Sequence, residues 1–129
     1  SDFKKYKPNI IKIEILLDLL SKQAFKKVLI FSETKRQVSK LCRQLKKLQV
    51  KVDEIHGDKS QQYRSKAIQK FKSGNVQVLV ATDVASRGID IDNITHVINY
   101  RIPNSRESYI HRIGRTGRAG KEGSAITFL

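Results

Sequence analysis

At 129 residues, with 39% hydrophobic and 29% charged side chains, the chain has the length and balance of one soluble domain with a single hydrophobic core. Its formal net charge of +14 is not ordinary and points to a polyanionic partner, either nucleic acid or a phosphate-bearing ligand. A membrane-surface protein is disfavoured, because no amphipathic helix sets a basic face against interfacial Trp or Phe. Cys42 is the sole cysteine, so no intrachain disulfide forms, as suits a reducing intracellular compartment. One cysteine with His56, His96 and His111 scattered along the chain makes no familiar zinc site. No apolar run approaches transmembrane length, and the start lacks a signal-peptide core. A chain that begins at serine is expected to be an excised piece.

Residues 1–9 are polar and basic and read as a linker or lead-in strand, with the folded domain over 10–129. Ile13, Leu16, Leu17 and Leu20 recur at helical spacing, which predicts an amphipathic helix over 10–23. Residues 27–32 are a continuous apolar run rich in β-branched and aromatic side chains, the pattern of a strand buried on both faces. Thr34 with Gln37 is a capping-box pattern opening a second helix, whose buried stripe is expected to be Val38, Leu41, Cys42, Leu45 and Leu48. Cys42 on that stripe is core packing rather than a nucleophile, and the Lys and Arg residues of this helix read as a mostly solvated face. A strand over 52–56 ends at Gly57. A helix over 60–72 turns Ala67, Ile68 and Phe71 inward and stops at Ser73, Gly74 and Asn75. Strands are predicted over 76–82, 95–100 and 124–129, and a helix capped by Asn104 with Glu107 is predicted through Tyr109 and His111. Strand alternates with helix throughout, which argues for an α/β fold: an open parallel sheet with helices on both faces.

In such sheets ligands bind beyond the carboxyl ends of the strands. The chemically distinctive residues fall at those ends. The first strand leads into Ser32, Glu33, Thr34 and Lys35; the second into His56 and Gly57, with Gln61 and Arg64 following. The third leads into Thr82 and Asp83, then Ser86, Arg87, Gly88 and Asp90. The fourth leads to a run in which Arg112, Arg115 and Arg118 alternate with Gly114, Gly117 and Gly120. Three guanidiniums this close repel one another unless an anion lies between or opposite them, and the planar donor fork of each suits phosphate oxygens. Glycine inside a helix costs roughly 1 kcal/mol relative to alanine, so three of them suggest close approach of a backbone or ligand. Helix N-termini on the same edge add free N–H groups and a positive dipole end.

Four segments carry a resemblance to the C-terminal RecA-like lobe of DEAD-box RNA helicases, which are superfamily 2 ATPases. Val28-Leu-Ile-Phe-Ser-Glu-Thr34 resembles motif IV; Gln61-Gln-Tyr-Arg64 resembles the Gln-x-x-Arg motif after His-Gly; Ala81-Thr-Asp-Val-Ala-Ser-Arg-Gly-Ile-Asp90 resembles motif V; His111-Arg-Ile-Gly-Arg-Thr-Gly-Arg118 resembles motif VI. The resemblance covers about residues 10–129 and implies a three-layer RecA-like fold. It implies that Arg115 and Arg118 act as arginine fingers on the γ-phosphate of ATP, with Gly88 and Asp90 also at the nucleotide and Asp90 on the ribose. Thr34, Lys35, Gly57, Arg64 and Thr82 would hold RNA phosphates, in contacts blind to base sequence. Gln61, Arg87, His111 and Arg112 would form an interlobe network that senses closure.

Two positions depart from the family pattern: Arg101 stands where members often carry Asp, and the chain stops after its fifth strand, where relatives commonly continue. No Gly-x-x-x-x-Gly-Lys-Ser/Thr and no Asp-Glu-Ala-Asp sequence is present, so the phosphate cradle and the Mg2+ ligands for ATP are assigned to an N-terminal lobe outside this sequence. No metal ligand is assigned to this chain. The isolated chain is expected to be monomeric and intracellular, and neither to hydrolyse ATP nor to unwind RNA. Two other readings stay open: a stand-alone basic nucleic-acid-binding RecA-like module, which the arginine pair argues against, and a lobe of a DNA-directed superfamily 2 translocase, which His111 and the Gln61/Arg64 pair argue against.

Overall fold

The computed structural model of the chain describes residues 8–86, 91, 93–100 and 124–128. In chain order the elements are α1 (Pro8–Leu20), β1 (Val28–Phe31), α2 (Lys35–Lys47), β2 (Val52–Ile55), α3 (Gln61–Ser73), β3 (Val78–Ala81), α4 (Asp83–Ser86), β4 (His96–Asn99) and β5 (Ser124–Thr127). The strands form a single sheet in the order β2-β3-β1-β4-β5, and every pairing is parallel.

The central strand explains the layering. All four residues of β1 are buried, and successive side chains of a strand point to opposite faces. Val28 and Ile30 therefore join one apolar cluster with Leu16 of α1, Val38, Leu41, Cys42 and Leu45 of α2, and Val78, Val80 and Ile98 of neighbouring strands. Leu29 and Phe31 join the other, with Ala67 and Phe71 of α3, Ala85 of α4, and Leu79 and Val97. The result is three layers, with α1 and α2 on one face and α3 and α4 on the other. The chain steps outward from β1 to β2 and back to β3, so crossovers of one hand must place α2 and α3 on opposite faces.

Local signals set the helix ends. Thr34 Oγ1 accepts from the Gln37 backbone N–H at 3.2 Å, and the Gln37 side chain accepts in return from the Thr34 N–H at 3.3 Å, completing the capping box. Ser60 caps α3, and Gly74 ends it at φ 86°, a left-handed conformation that glycine adopts without a Cβ penalty. At the opposite edge, the Gln77 amide donates to the carbonyls of Leu20 at 2.9 Å and Phe25 at 2.7 Å, tying the end of α1 to the start of β3.

Several boundaries differ from expectation. Helix α1 starts at Pro8 rather than Ile10 and ends at Leu20; a proline needs no N–H partner in the first turn, so Pro8 and Asn9 are helix rather than linker. Leu48 is not part of the buried stripe of α2: it is the C-cap and 45% exposed. Helix α4 was not expected, because one turn is too short to leave a periodicity. The predicted helix after Asn104 lies outside the described residues.

Candidate nucleic-acid interface

Because every strand is parallel, the carboxyl ends form one rim, and hydrogen bonds carry the ladder into the exit loops. Ser32 N–H donates to Ala81 O at 3.1 Å, Thr82 N–H to Ile55 O at 3.3 Å, and Tyr100 N–H to Phe31 O at 3.1 Å. Thr34 and Lys35 follow β1, Gly57 follows β2, and Thr82 follows β3. Gln61 and Arg64 occupy the first turn of α3, which opens at the same rim. The structure thus brings Thr34, Lys35, Gly57, Gln61, Arg64 and Thr82 to one edge. Arg87, Gly88, Asp90, His111, Arg112, Arg115 and Arg118 lie outside the described residues.

Two exit loops are tied across the rim by Lys35 Nζ on Asp58 Oδ1 at 2.9 Å. The hydrogen bond from Lys35 holds the Asp58 carboxyl below its ordinary range. An ion pair this exposed adds little stability; its effect is positional. It sets the N-terminus of α2 beside Gly57. At Gly57 a Cβ would meet no atom within 4 Å. Nothing in the described fold fills the space above its backbone. Thr82 heads α4, accepting at Oγ1 from the Ala85 N–H at 3.4 Å and at its carbonyl from the Ser86 N–H at 3.1 Å.

Beneath the loops lies a buried polar cluster that the sequence reading missed. Glu54 Oε1 accepts from Ser39 Oγ at 2.9 Å and sits 3.0 Å from His56 Nε2 and 3.3 Å from Lys59 Nζ. The Asp58 backbone N–H donates to His56 Nδ1 at 3.3 Å. That contact leaves the imidazole proton on Nε2, facing Glu54. Burial pushes the Glu54 carboxyl up, but hydrogen bonds from Ser39, His56 and Cys42 and the Lys59 ammonium outweigh it and hold the group down to about 2. One buried carboxylate therefore joins α2 to the loop carrying Gly57. A signal was available: Asp53 and Glu54 are adjacent in a short strand and so point to opposite faces, and an acid on a covered face is costly unless partnered. Its partners, from α2 and from beyond β2, meet only in the fold.

Cys42 is fully buried, and burial together with a hydrogen bond to Glu54 pushes its thiol up to about 12. It is a core residue, as expected. Among the described residues no group of three or more His, Cys, Asp or Glu side chains could hold a metal ion, and no helix is long and apolar enough to cross a membrane.

Comparison with known proteins agrees with this geometry. The family described as "Helicase conserved C-terminal domain" matches residues 11–120. The ATP-dependent RNA helicase CshA of Listeria monocytogenes is 53% identical over 118 residues, covering 92% of this chain and 23% of that protein. The chain spans about a quarter of the length of the curated relatives it matches. Among solved structures, the E. coli DEAD-box protein SrmB bound to the regulator RraA superimposes with a TM-score of 0.87 at 39% identity, covering 92% of this chain and 69% of that one. S. cerevisiae Dbp5 bound to RNA and ADP BeF3 superimposes with a TM-score of 0.82 at 38% identity, covering 92% of this chain and 32% of that one. A five-stranded parallel sheet of this order, together with these likenesses, places the chain in the helicase conserved C-terminal domain family, as a RecA-like C-terminal domain of the DEAD-box kind.

Proposed function

We propose that this chain is the C-terminal lobe of an ATP-dependent RNA helicase, gripping RNA phosphates at its carboxyl rim and completing an ATPase site with an N-terminal lobe. The observation that carries the reading is the meeting of Thr34, Lys35, Gly57, Arg64 and Thr82 on one edge with the N-termini of α2 and α3. Hydroxyls, cations and free helix N–H groups suit phosphate oxygens, and such contacts carry no base information. The names of the relatives as ATP-dependent RNA helicases support the reading, as does a neighbour bound to RNA and ADP BeF3.

In this reading Arg115 and Arg118 face the γ-phosphoryl group of ATP, with Gly88 and Asp90 at the nucleotide and Asp90 on its ribose. Charge spreads onto the γ-oxygens in the transition state, and a guanidinium there is worth on the order of 10³-fold in rate. Residues of the other lobe would hold Mg2+, which would supply neutralisation of phosphate charge there. Gln61, Arg87, His111 and Arg112 couple RNA on one rim to closure of the two lobes, and closure bends one strand out of a duplex. The test is Arg115→Ala with Arg118→Ala in the full-length protein. ATPase activity should fall by about 10³-fold or more while RNA affinity persists. Unchanged ATPase activity would overturn the assignment.

A further inference from the structure

Helix α2 carries a second feature that the rim does not use. Arg36, Lys40, Arg43 and Lys47 stand at i, i+4, i+7 and i+11, so they line one narrow stripe along the helix. All four are exposed, and Val38, Leu41, Cys42 and Leu45 bury the opposite side. Residues 34–52 contain no Asp or Glu. Among the described residues, no carboxylate lies in ion-pair contact with any of the four.

Like charges three and four residues apart on a helix repel and destabilise it. A face that served solubility alone would intersperse both signs. Here Arg36 faces Lys40, Lys40 faces Arg43 and Arg43 faces Lys47, with no carboxylate among the described residues in ion-pair contact to relieve them. The stripe is about 16 Å long at 1.5 Å per residue. It starts at the rim, beside the Thr34 cap and the Lys35–Asp58 pair.

We propose that this stripe is an accessory track for the phosphate backbone of RNA, continuing the path of a strand held at the rim along the outer face of α2. The inference rests on the RNA-binding reading above. The chemistry favours polyphosphate over an acidic protein. Every exposed position of α2 from Lys35 to Lys47 is Lys or Arg, with no apolar or aromatic anchor among them. Protein interfaces depend on such anchors at their centres. The same lack leaves no platform for base stacking, so the track contacts backbone alone and is indifferent to sequence.

The test compares two single-stranded RNAs in the full-length protein: one just long enough to span the rim, and one extended beyond it. The variant is Arg36→Gln, Lys40→Gln, Arg43→Gln and Lys47→Gln together. Short-RNA affinity should stay within about twofold, while affinity for the extended RNA falls on the order of tenfold or more at low salt. The slope of log affinity against log salt should shrink by about 0.7 per lost phosphate contact, close to 3 for all four. Arg43→Glu alone should weaken extended-RNA binding more than Arg43→Gln. Thermal melting of the variants should match or exceed wild type, because repulsion is relieved. Unchanged extended-RNA affinity and salt slope, with Arg64→Gln weakening both RNAs, would overturn the track and leave the rim reading standing. Should Arg64→Gln leave the short RNA unaffected, the rim reading falls and the track with it. Loss of binding to a polyglutamate peptide but not to RNA would also overturn the track.

Discussion

Gly57→Ala adds one methyl group at a place where folding and the proposed RNA contact make opposite demands. A Cβ there meets nothing within 4 Å, and no left-handed φ is required. The folded state accepts alanine without strain or clash. The unfolded chain loses freedom when glycine is replaced, so stability should stay level or rise by about 0.4–1 kcal/mol, a few degrees in melting temperature. RNA binding should move the other way. If a phosphate approaches the Gly57 backbone, the methyl occupies that path and lengthens a charge-assisted hydrogen bond. Such a bond is worth about 1.5–3 kcal/mol, which corresponds to a loss of roughly ten- to a hundredfold in affinity. The assay is a thermal melt paired with fluorescence anisotropy of labelled single-stranded RNA at fixed salt. RNA affinity within twofold of wild type would refute the contact. A melting temperature lowered by several degrees would refute the claim that the fold leaves this space open.

Other outcomes follow from the buried cluster and the caps. Glu54→Gln should cost about 1–3 kcal/mol, because Ser39, His56 and Lys59 lose a charged partner. The folded Glu54 carboxyl is held down to about 2 from 4.5, so it stabilises above pH 4.5 and its contribution fades as pH falls toward 2. The stability gap between wild type and Glu54→Gln, read from urea midpoints, should therefore narrow across that window. His96 stacks on Phe25 with centroids 3.6 Å apart, and burial lowers its pKa. Its neutral form is favoured in the fold, so its contribution should fade as pH drops below 6.5; His96→Phe should flatten that part of the profile. Native Cys42 should resist alkylation at pH 8 and react after unfolding, since burial holds the thiol protonated. Thr34→Ala removes the α2 cap and should cost about 1 kcal/mol in chemical denaturation.

Much of the fold was legible along the chain. The apolar run that became β1, the Thr34–Gln37 capping box and the Gly74 stop depend on neighbours within a few residues, where periodicity and backbone preference speak directly. The expected strands extend one or two residues past most of the observed ends, because side-chain pattern persists beyond the point where pairing stops. Thr82, expected in β3, instead heads α4. Leu48 fitted the apolar period, but the helix ends before that period can bury it.

The rim shows the same division. Which residues offer hydroxyls, cations and helix starts near strand ends was readable from residue types and spacing. That Lys35 meets Asp58, 23 positions away, and that Glu54 is reached from α2 and from the loop beyond β2, was not. By itself the sequence determined the alternation of strand and helix and the amphipathic faces, because both arise from contacts between near neighbours, and the store of positive charge, because that is composition alone. Only the tertiary structure decided which loops share an edge, which carboxylate lies buried, and which described cations pair with it. Those depend on strand order, and strand order is set by packing among segments remote from one another in the chain.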